Sequence, residues 1–241
     1  MMENEVRLDL TRHDRNGLEE AIFCARKSDT QIKTILDHIY TRKRSCLLTR
    51  LNPDQYCAIA STYRSMLDYD ETSQTAFFNW CAEQDGKPEV AVITAGSSDV
   101  PVAREAIRTL EYFHIKALAI FDVGVAGLWR LIERIEDIRQ MPIAIVAAGM
   151  DAALPSVLGG LYPGLIVAIP TSVGYGVASG GTTALNAILA SCSPGIVTVN
   201  IDNGYGAASA ALRACRLVKK GVDSDQSLDA QEEVVAIRRQ I

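Results

Sequence analysis

Residues 90–106 read VAVITAGSSDVPVAREA, and the fold turns on how that stretch is parsed. A β-branched apolar run, Val90–Thr94, ends at Ala95-Gly96, and Ser97-Ser98-Asp99 then opens a helix with Pro101 in its first turn. Proline is tolerated there because its missing N–H would have no intrahelical partner. Ser98 or Asp99 is placed to cap the free amides of that helix. Those amides, with the helix dipole, form a seat for a phosphate or carboxylate. An ordinary strand-to-helix turn would read the same way; four further strand-to-turn units downstream make this one more than that.

Short apolar runs recur at Val90–Thr94, Ala117–Phe121, Ile143–Ala147, Leu165–Ile169 and Ile196–Ile201. Helical stretches follow them at Val100–Phe113, Gly127–Arg139, Ala152–Leu161, Thr182–Ser191 and Ala207–Lys219. Apolar strands that do not alternate, separated by helices, indicate a parallel sheet covered on both faces. The expectation is a doubly wound α/β domain of three layers with right-handed crossovers. Ligands of such sheets sit beyond the carboxyl ends of the strands, so the strand-end turns are read together. They are Ala95–Asp99, Asp122–Ala126, Ala148–Asp151, Pro170–Gly176 and Asp202–Gly206. None carries G-x-G-x-x-G or a Walker pattern, which argues against a dinucleotide dehydrogenase or a P-loop enzyme.

Residues 1–86 differ: charges are frequent, helical periodicity fits Thr30–Tyr40 and Pro53–Met66, and a short strand fits Ser45–Thr49. Asp68–Thr75 reads as a polar connection and Glu83–Pro88 as a linker. The expected organisation is a small N-terminal α/β domain, 1–86, and a core domain, 87–241, with a C-terminal helical tail. A net charge of −5 argues against nucleic acid as a partner. The charged N-terminal stretch lacks the apolar core of a secretory signal, and the apolar runs are too broken for a membrane span. The six cysteines form no C-x-x-C pair or metal-finger spacing, so reduced thiols in the cytoplasm are expected. His13, His38 and His114 all lie outside the strand-end turns. Residues 152–201 contain no Asp, Glu, Lys or Arg, and a helical region without a charged face suggests burial in a homo-oligomer.

AGSSDVPVAREA resembles the opening strand–turn–helix of the purine-pathway carboxylases and mutases acting on aminoimidazole ribonucleotide. In that family a Gly-x-Ser-Asp turn holds substrate and carbon dioxide, and a third turn carries a catalytic histidine. The corresponding loop here, AAGMDAALPSVLGGL, has none. Over nearly the whole chain the sequence is similar to the pyridinium-3,5-biscarboxylic acid mononucleotide synthase family, through RLDLTRHDRNGLEEAIFCARKSDTQI, FDVGVAGLWRL, VAAGMDAALPSVLGGL, PTSVGYG, ASCSPG and NIDNGYGAA. That resemblance implies a carboxylase/hydrolase that begins nickel-pincer nucleotide assembly for lactate racemase. Its substrate would be nicotinic acid adenine dinucleotide, with carbon dioxide or bicarbonate as co-substrate and no redox cofactor. The products would be the dicarboxylated mononucleotide and AMP. The resemblance also implies an octamer.

On the resemblance, Cys192 forms a transient bond to the pyridinium. Read from its own surroundings, Cys192 follows a helical stretch, and the carbonyl end of a helix does not favour an anionic thiolate. Asp151, the carboxylate of its loop, is the candidate to move the ring proton, or else a helix N-cap. The family more often has glutamate there, a difference of one C–C bond, roughly 1.5 Å. Ser98, in a catalytic role, and Asp99 would position the carbon dioxide or phosphate end, with Gly96 and Ser97 binding substrate; a carboxylate does not attract phosphate, so Asp99 suits a ribose hydroxyl, the cap or a metal better. Asp122 and Arg130 belong to the second unit, where Arg130 could clamp a phosphate or the substrate carboxylate or simply be a solvated helix arginine. Ser172, Gly174, Tyr175 and Gly176 would give close backbone approach and a stacking face. Asp202, Asn203 and Gly204 close the last turn, where Asp202 could hold magnesium or simply shape the turn. Two other readings stay open: an aminoimidazole ribonucleotide carboxylase/mutase, and a nucleotide-binding module without catalysis.

Overall fold

The computed structural model describes residues 5–81 and 86–218. The N-terminal part runs α1 (Arg12–Asn16), β1 (Ile22–Phe23), α2 (Asp29–Thr41), β2 (Cys46–Thr49), α3 (Pro53–Tyr63), β3 (Leu67–Asp70) and β4 (Thr75–Phe78). Both longer helices start where local chemistry dictates. Ser28 with Gln31, and Asn52 with Gln55, form reciprocal capping boxes, and Pro53 occupies the first turn of α3. The sheet order is β1-β2-β4-β3. The expected polar connection over Asp68–Thr75 is instead a hairpin. β3 pairs antiparallel with β4, and Asp70 accepts from the Ser73 amide at 2.8 Å to close the turn. An edge strand has one partner and a partly solvated face, so its composition, LDYD, looks like a loop.

The core follows the expected alternation. Strands β5 (Val90–Thr94), β6 (Ala117–Ile120), β7 (Ile143–Ala148), β8 (Leu165–Pro170) and β9 (Ile196–Thr198) are all parallel, in the order β6-β5-β7-β8-β9. Helices α4 (Val100–Tyr112), α5 (Leu128–Arg139), α6 (Ala153–Gly159), α7 (Thr182–Leu189) and α8, helical over 204–218, cover it. One apolar layer joins the sheet to α5, α6 and α7 through Leu131, Ile135, Leu154, Leu158 and Ile188. The opposite layer joins it to α4 and α8 through Ala103, Leu110, Ala208 and Leu212.

Several bounds shift by one to three residues, three of them for evident local reasons. β9 stops at Thr198 rather than Ile201, because Asn200 folds its side chain onto the Ile201 amide at 2.9 Å and begins a turn. α8 starts at residue 204 rather than Ala207, because Asn203 Oδ1 accepts from the Gly206 amide at 2.8 Å and caps the helix early. α6 ends at Gly159, where Gly159-Gly160 weakens the helix before Leu161. Lys219, the expected C-terminal tail and residues 83–85 of the expected linker lie outside the described residues. No helix among the described residues is long and apolar enough to cross a membrane, and all six cysteines are free thiols.

The N-terminal sheet docks on α4, the helix that leaves the first strand-end turn. Arg104 pairs with Asp70, and Arg108 reaches Asp68 at 3.1 Å while lying 3.6 Å above the Phe77 ring. Trp80 donates to the Tyr112 carbonyl at 3.1 Å, and the Tyr112 hydroxyl donates to Glu19 at 2.5 Å. Arg50 bridges to Glu105 and to the Asp202 carbonyl. Helix α4 thus carries one domain on its flank and the strand-end turn at its head.

Candidate active site

In the order β6-β5-β7-β8 the connection leaving β5 crosses one face through α4 to β6, and that leaving the adjacent β7 crosses the other face through α6 to β8, which opens a crevice between the carboxyl ends of β5 and β7. A pocket of about 350 Å³ lies there, lined by Ala95 to Asp99, Asp122, Gly124 to Ala126, Arg130, Gly149 to Leu154 and Val173. It therefore gathers Gly96, Ser97, Ser98, Asp99, Asp122, Arg130 and Asp151 from the expected set. Its lining holds no histidine, lysine or cysteine.

Asp99 caps as expected and does more. It is 3% exposed, and its Oδ2 accepts from the Gly96 amide at 2.8 Å. Oδ1 accepts from the Thr171 hydroxyl at 2.6 Å, and the Gly149 amide also donates to the carboxylate. It makes no side-chain bond to the amides of α4. Asp99 is a tie joining three strand-end turns: its bond to the Gly96 amide is half of a capping box on the 3-10 turn Ser97–Asp99, and its other bonds reach Thr171 and Gly149. Burial raises its pKa above the usual carboxylate value, although all three hydrogen bonds pull the other way. Gly149 must be glycine for this tie, because a Cβ would run into the Val173 carbonyl and the Thr171 hydroxyl.

Asp122 takes a left-handed backbone, its amide donating to Thr94 Oγ1 at 2.9 Å. Its carboxylate pairs with Arg130 at 2.6 Å, so the guanidinium reaches the pocket already oriented. Asp151 sits between two left-handed residues, Met150 and Ala152. Ala152 is the N-cap of α6 and no side chain caps it, so the capping alternative for Asp151 falls. Its carboxylate is left on the pocket wall.

Ser172 and Asp202 form a second group beside the pocket. The Ser172 amide donates to Asp202 Oδ1 at 2.8 Å, and Asp202 is left-handed. Among the described residues, four of the nine non-glycine residues with positive φ, Asp122, Met150, Ala152 and Asp202, lie at these strand ends. Backbone strain of this kind concentrates where side-chain position matters.

Other expected residues are placed elsewhere. Gly174, Tyr175 and Gly176 do not line the pocket, and Tyr175 is 78% exposed. The Gly204 amide is taken by Glu105 Oε2 at 3.0 Å, so it is not free for a ligand, and Asn203 is the cap of α8. Cys192 is exposed in the turn that enters β9, at the amino edge of the sheet, beside the end of α6 where Ser193 abuts Gly159. A six-residue strand such as β8 separates the two edges by on the order of 15 Å. Cys192 therefore does not reach the pocket of its own chain.

Three contributors were missed: Thr171, Glu105 and Arg50. Glu105 is 5% exposed, and burial raises its pKa against the pull of Arg50 and of the Gly204 and Tyr205 amides. Nothing local marks Arg50, whose importance comes from a domain contact; Thr171 at least stood in a quoted turn. Among the described residues no group of three His, Cys, Asp or Glu side chains could hold a metal ion.

Residues 3–80 match the family described as LarB/PurE-like N-terminal domain, and residues 89–234 match AIR carboxylase. An uncharacterised protein of Methanocaldococcus jannaschii is 33% identical over 215 residues, covering 86% of this chain and 82% of that one. The N5-carboxyaminoimidazole ribonucleotide mutase of the same organism is 30% identical over 140 residues, covering 55% of this chain and 82% of the relative. Among solved structures, Treponema denticola PurE aligns with a TM-score of 0.46 at 21% identity, covering 61% of this chain and 95% of that one.

Proposed function

From the membership of this chain in the AIR carboxylase family, as a LarB/PurE-like protein with carboxylase-type function, we propose that it carboxylates the pyridinium ring of nicotinic acid adenine dinucleotide and hydrolyses the anhydride to release AMP. The observation that carries this reading is the lining of the strand-end pocket. It offers carboxylates, serines and one oriented arginine, but no histidine for a histidine-dependent mutase. A pocket of that kind needs its nucleophile from elsewhere, and Cys192 is an exposed thiol.

A pyridinium is electron-poor and does not attack carbon dioxide. Addition of the Cys192 thiolate at the ring carbon opposite nitrogen forms a C–S bond and neutralises the ring nitrogen. The resulting dihydropyridine has enamine character at the neighbouring carbon, which attacks carbon dioxide and forms the new C–C bond. Asp151 takes the proton from that carbon, the C–S bond breaks, and the thiolate leaves as aromaticity returns. Covalent catalysis thus divides one forbidden step into accessible ones, and a thiolate suits both addition and departure. Arg130, held by Asp122, faces the substrate carboxylate or the carboxylate being formed. Water then cleaves the P–O–P linkage to give the mononucleotide and AMP. The family more often has glutamate at the position of Asp151; the left-handed residues on either side of Asp151 fix the shorter side chain on the pocket wall.

Because Cys192 lies at the amino edge, the thiol entering a given pocket comes from a second copy of the chain. Residues 152–201 carry no charged side chain, and Tyr175, Val177 and Leu189 are 78%, 94% and 67% exposed, a surface suited to burial between copies. The test is a mass spectrum of products after incubation with the dinucleotide, labelled bicarbonate and magnesium, for the wild type and Cys192→Ala. A labelled dicarboxylated mononucleotide with AMP, absent from the variant, is the expected result. Folded wild-type protein that makes neither product would overturn the reading and bring carboxyaminoimidazole ribonucleotide forward as the next substrate.

A further inference from the structure

A second cavity opens beyond Ser98. It holds about 260 Å³ and lies between the β3–β4 turn, Thr72 to Gln74, and the core residues Pro101, Val102, Ser172 and Asp202. Ser98 and Val173 line both this cleft and the strand-end pocket, so the two cavities meet at a shared wall. The charges decide what the cleft suits. Arg50 is its one cationic lining residue, set against Glu105 and Asp202. Arg50 is already engaged, donating to the Asp202 carbonyl and facing Glu105 Oε1 at 3.7 Å. One committed guanidinium against two carboxylates is a poor seat for a bare anion.

A neutral, hydroxyl-rich group fits better. Thr72, Ser98, Ser172 and Gln74 offer groups that both donate and accept. Asp202 spends Oδ1 on the Ser172 amide, while Oδ2 has no donor among the described residues. A carboxylate oxygen in that condition is the kind of acceptor that holds a ribose diol. Pro101, Val102 and Val173 supply apolar surface for a base.

Building on the dinucleotide reading above, we infer that this inter-domain cleft is the half-site for the adenosine end of the substrate. The ribose is held at Asp202, the phosphates pass Ser98, and the pyridinium lies in the strand-end pocket. The N-terminal domain, through its β3–β4 turn, is then what selects a dinucleotide over a mononucleotide.

The test is calorimetric titration of the full chain with AMP and, separately, with nicotinic acid mononucleotide, which needs no turnover. Thr72 is an exposed turn residue, so Thr72→Trp fills the cleft without touching a core. Asp202→Asn keeps an acceptor for Ser172 and tolerates the left-handed backbone. The expected result is AMP affinity weakened about tenfold or more by Thr72→Trp and several-fold by Asp202→Asn, with the mononucleotide changed by less than about twofold by Thr72→Trp. Both ligands should bind together. Unchanged AMP affinity in either variant, mutual displacement of the two ligands, or no AMP binding at millimolar concentration would each overturn the inference. AMP bound in this pattern by protein that fails to carboxylate the dinucleotide would instead overturn the proposed reaction and leave the cleft standing.

Discussion

The two edges of the core sheet are made by the same five strands, yet they are built differently. At the carboxyl edge the backbone is left-handed at Asp122, Met150, Ala152 and Asp202, and a carboxylate, Asp99, is buried under three donors. At the amino edge the left-handed residues are His114 and Gly195, one on each of two connections, and the others close by ordinary hydrogen bonds, such as Tyr162 to the Met141 carbonyl at 2.7 Å and Ser156 to Ser191 at 2.6 Å. The thiol assigned to the chemistry is on that second edge. Left-handed non-glycine backbone and a buried carboxylate concentrate at the first edge; under the proposed reaction the thiol of the second edge is delivered by a neighbouring copy.

The largest effect should come from separating the two edges genetically. Cys192→Ala and Asp151→Ala should each lose carboxylation by about a thousandfold or more. When the two variants are co-expressed in equal amounts and assemble together, about a quarter of the sites should combine an intact pocket with an intact thiol. Recovery of about that share of wild-type product formation is expected. No recovery in verified mixed assemblies would mean that each chain uses its own thiol, and the contrast between the edges would lose its functional meaning.

Stability should separate the edges next. Thr171→Val keeps the side-chain shape but removes the hydroxyl donated to buried Asp99, and should cost about 2 kcal/mol. Ser191→Ala at the amino edge removes one part-buried hydroxyl contact and should cost less than about 1 kcal/mol. Chemical denaturation with matched m-values measures both. Equal costs would remove the claim that buried charge is concentrated at the carboxyl edge.

The pH dependence carries the same contrast against the domain interface. Burial lifts the Asp99 pKa, so its stabilising contribution is complete below the unfolded value near 3.8 and is lost as pH rises through the folded pKa. For Asp70, burial pushes upward, but hydrogen bonds from Arg104 and Ser73 outweigh it and hold the pKa below 3.8. Its contribution is present above that value and is lost as pH falls through the folded pKa. The stability difference between wild type and Asp70→Asn should therefore shrink on acidification, whereas that between wild type and Asp99→Asn should grow. Denaturation midpoints between about pH 3 and pH 7 read both slopes, and slopes of the same sign would contradict the assignment of the two carboxyls.

How much of this was legible follows from the range of each interaction. The core strands are β-branched runs bounded by helices, a local signal, and the structure places all five where the runs lie. The capping of α8 by Asn203 and the left-handed turn at Asp202 are likewise short-range consequences of Asp-Asn-Gly. The fate of Asp99 was not legible, because its partner Thr171 is 72 residues away and a capping residue looks identical in sequence. The β3–β4 hairpin hid in polar composition, and Arg50 acts only because a second domain rests on α4. Local chemistry was readable; the ties between turns and between domains were not.

The smallest expected effect is the most discriminating about strain. Met150 holds a left-handed backbone, its amide bonded to the Val173 carbonyl at 2.8 Å, with its side chain 46% exposed. Met150→Gly should relieve a conformation that glycine adopts freely and stabilise the fold by about 0.5–1 kcal/mol, little of it offset by lost burial. The same freedom should loosen Asp151, lowering kcat while KM for the dinucleotide stays near the wild-type value. Gly195 at the amino edge, also left-handed, provides the mirror case: Gly195→Ala should cost about 1 kcal/mol with no effect on KM. If Met150→Gly gained stability and kept its full kcat, the strained turn would be a feature of the fold alone, and positioning of Asp151 would have to come from the bound substrate.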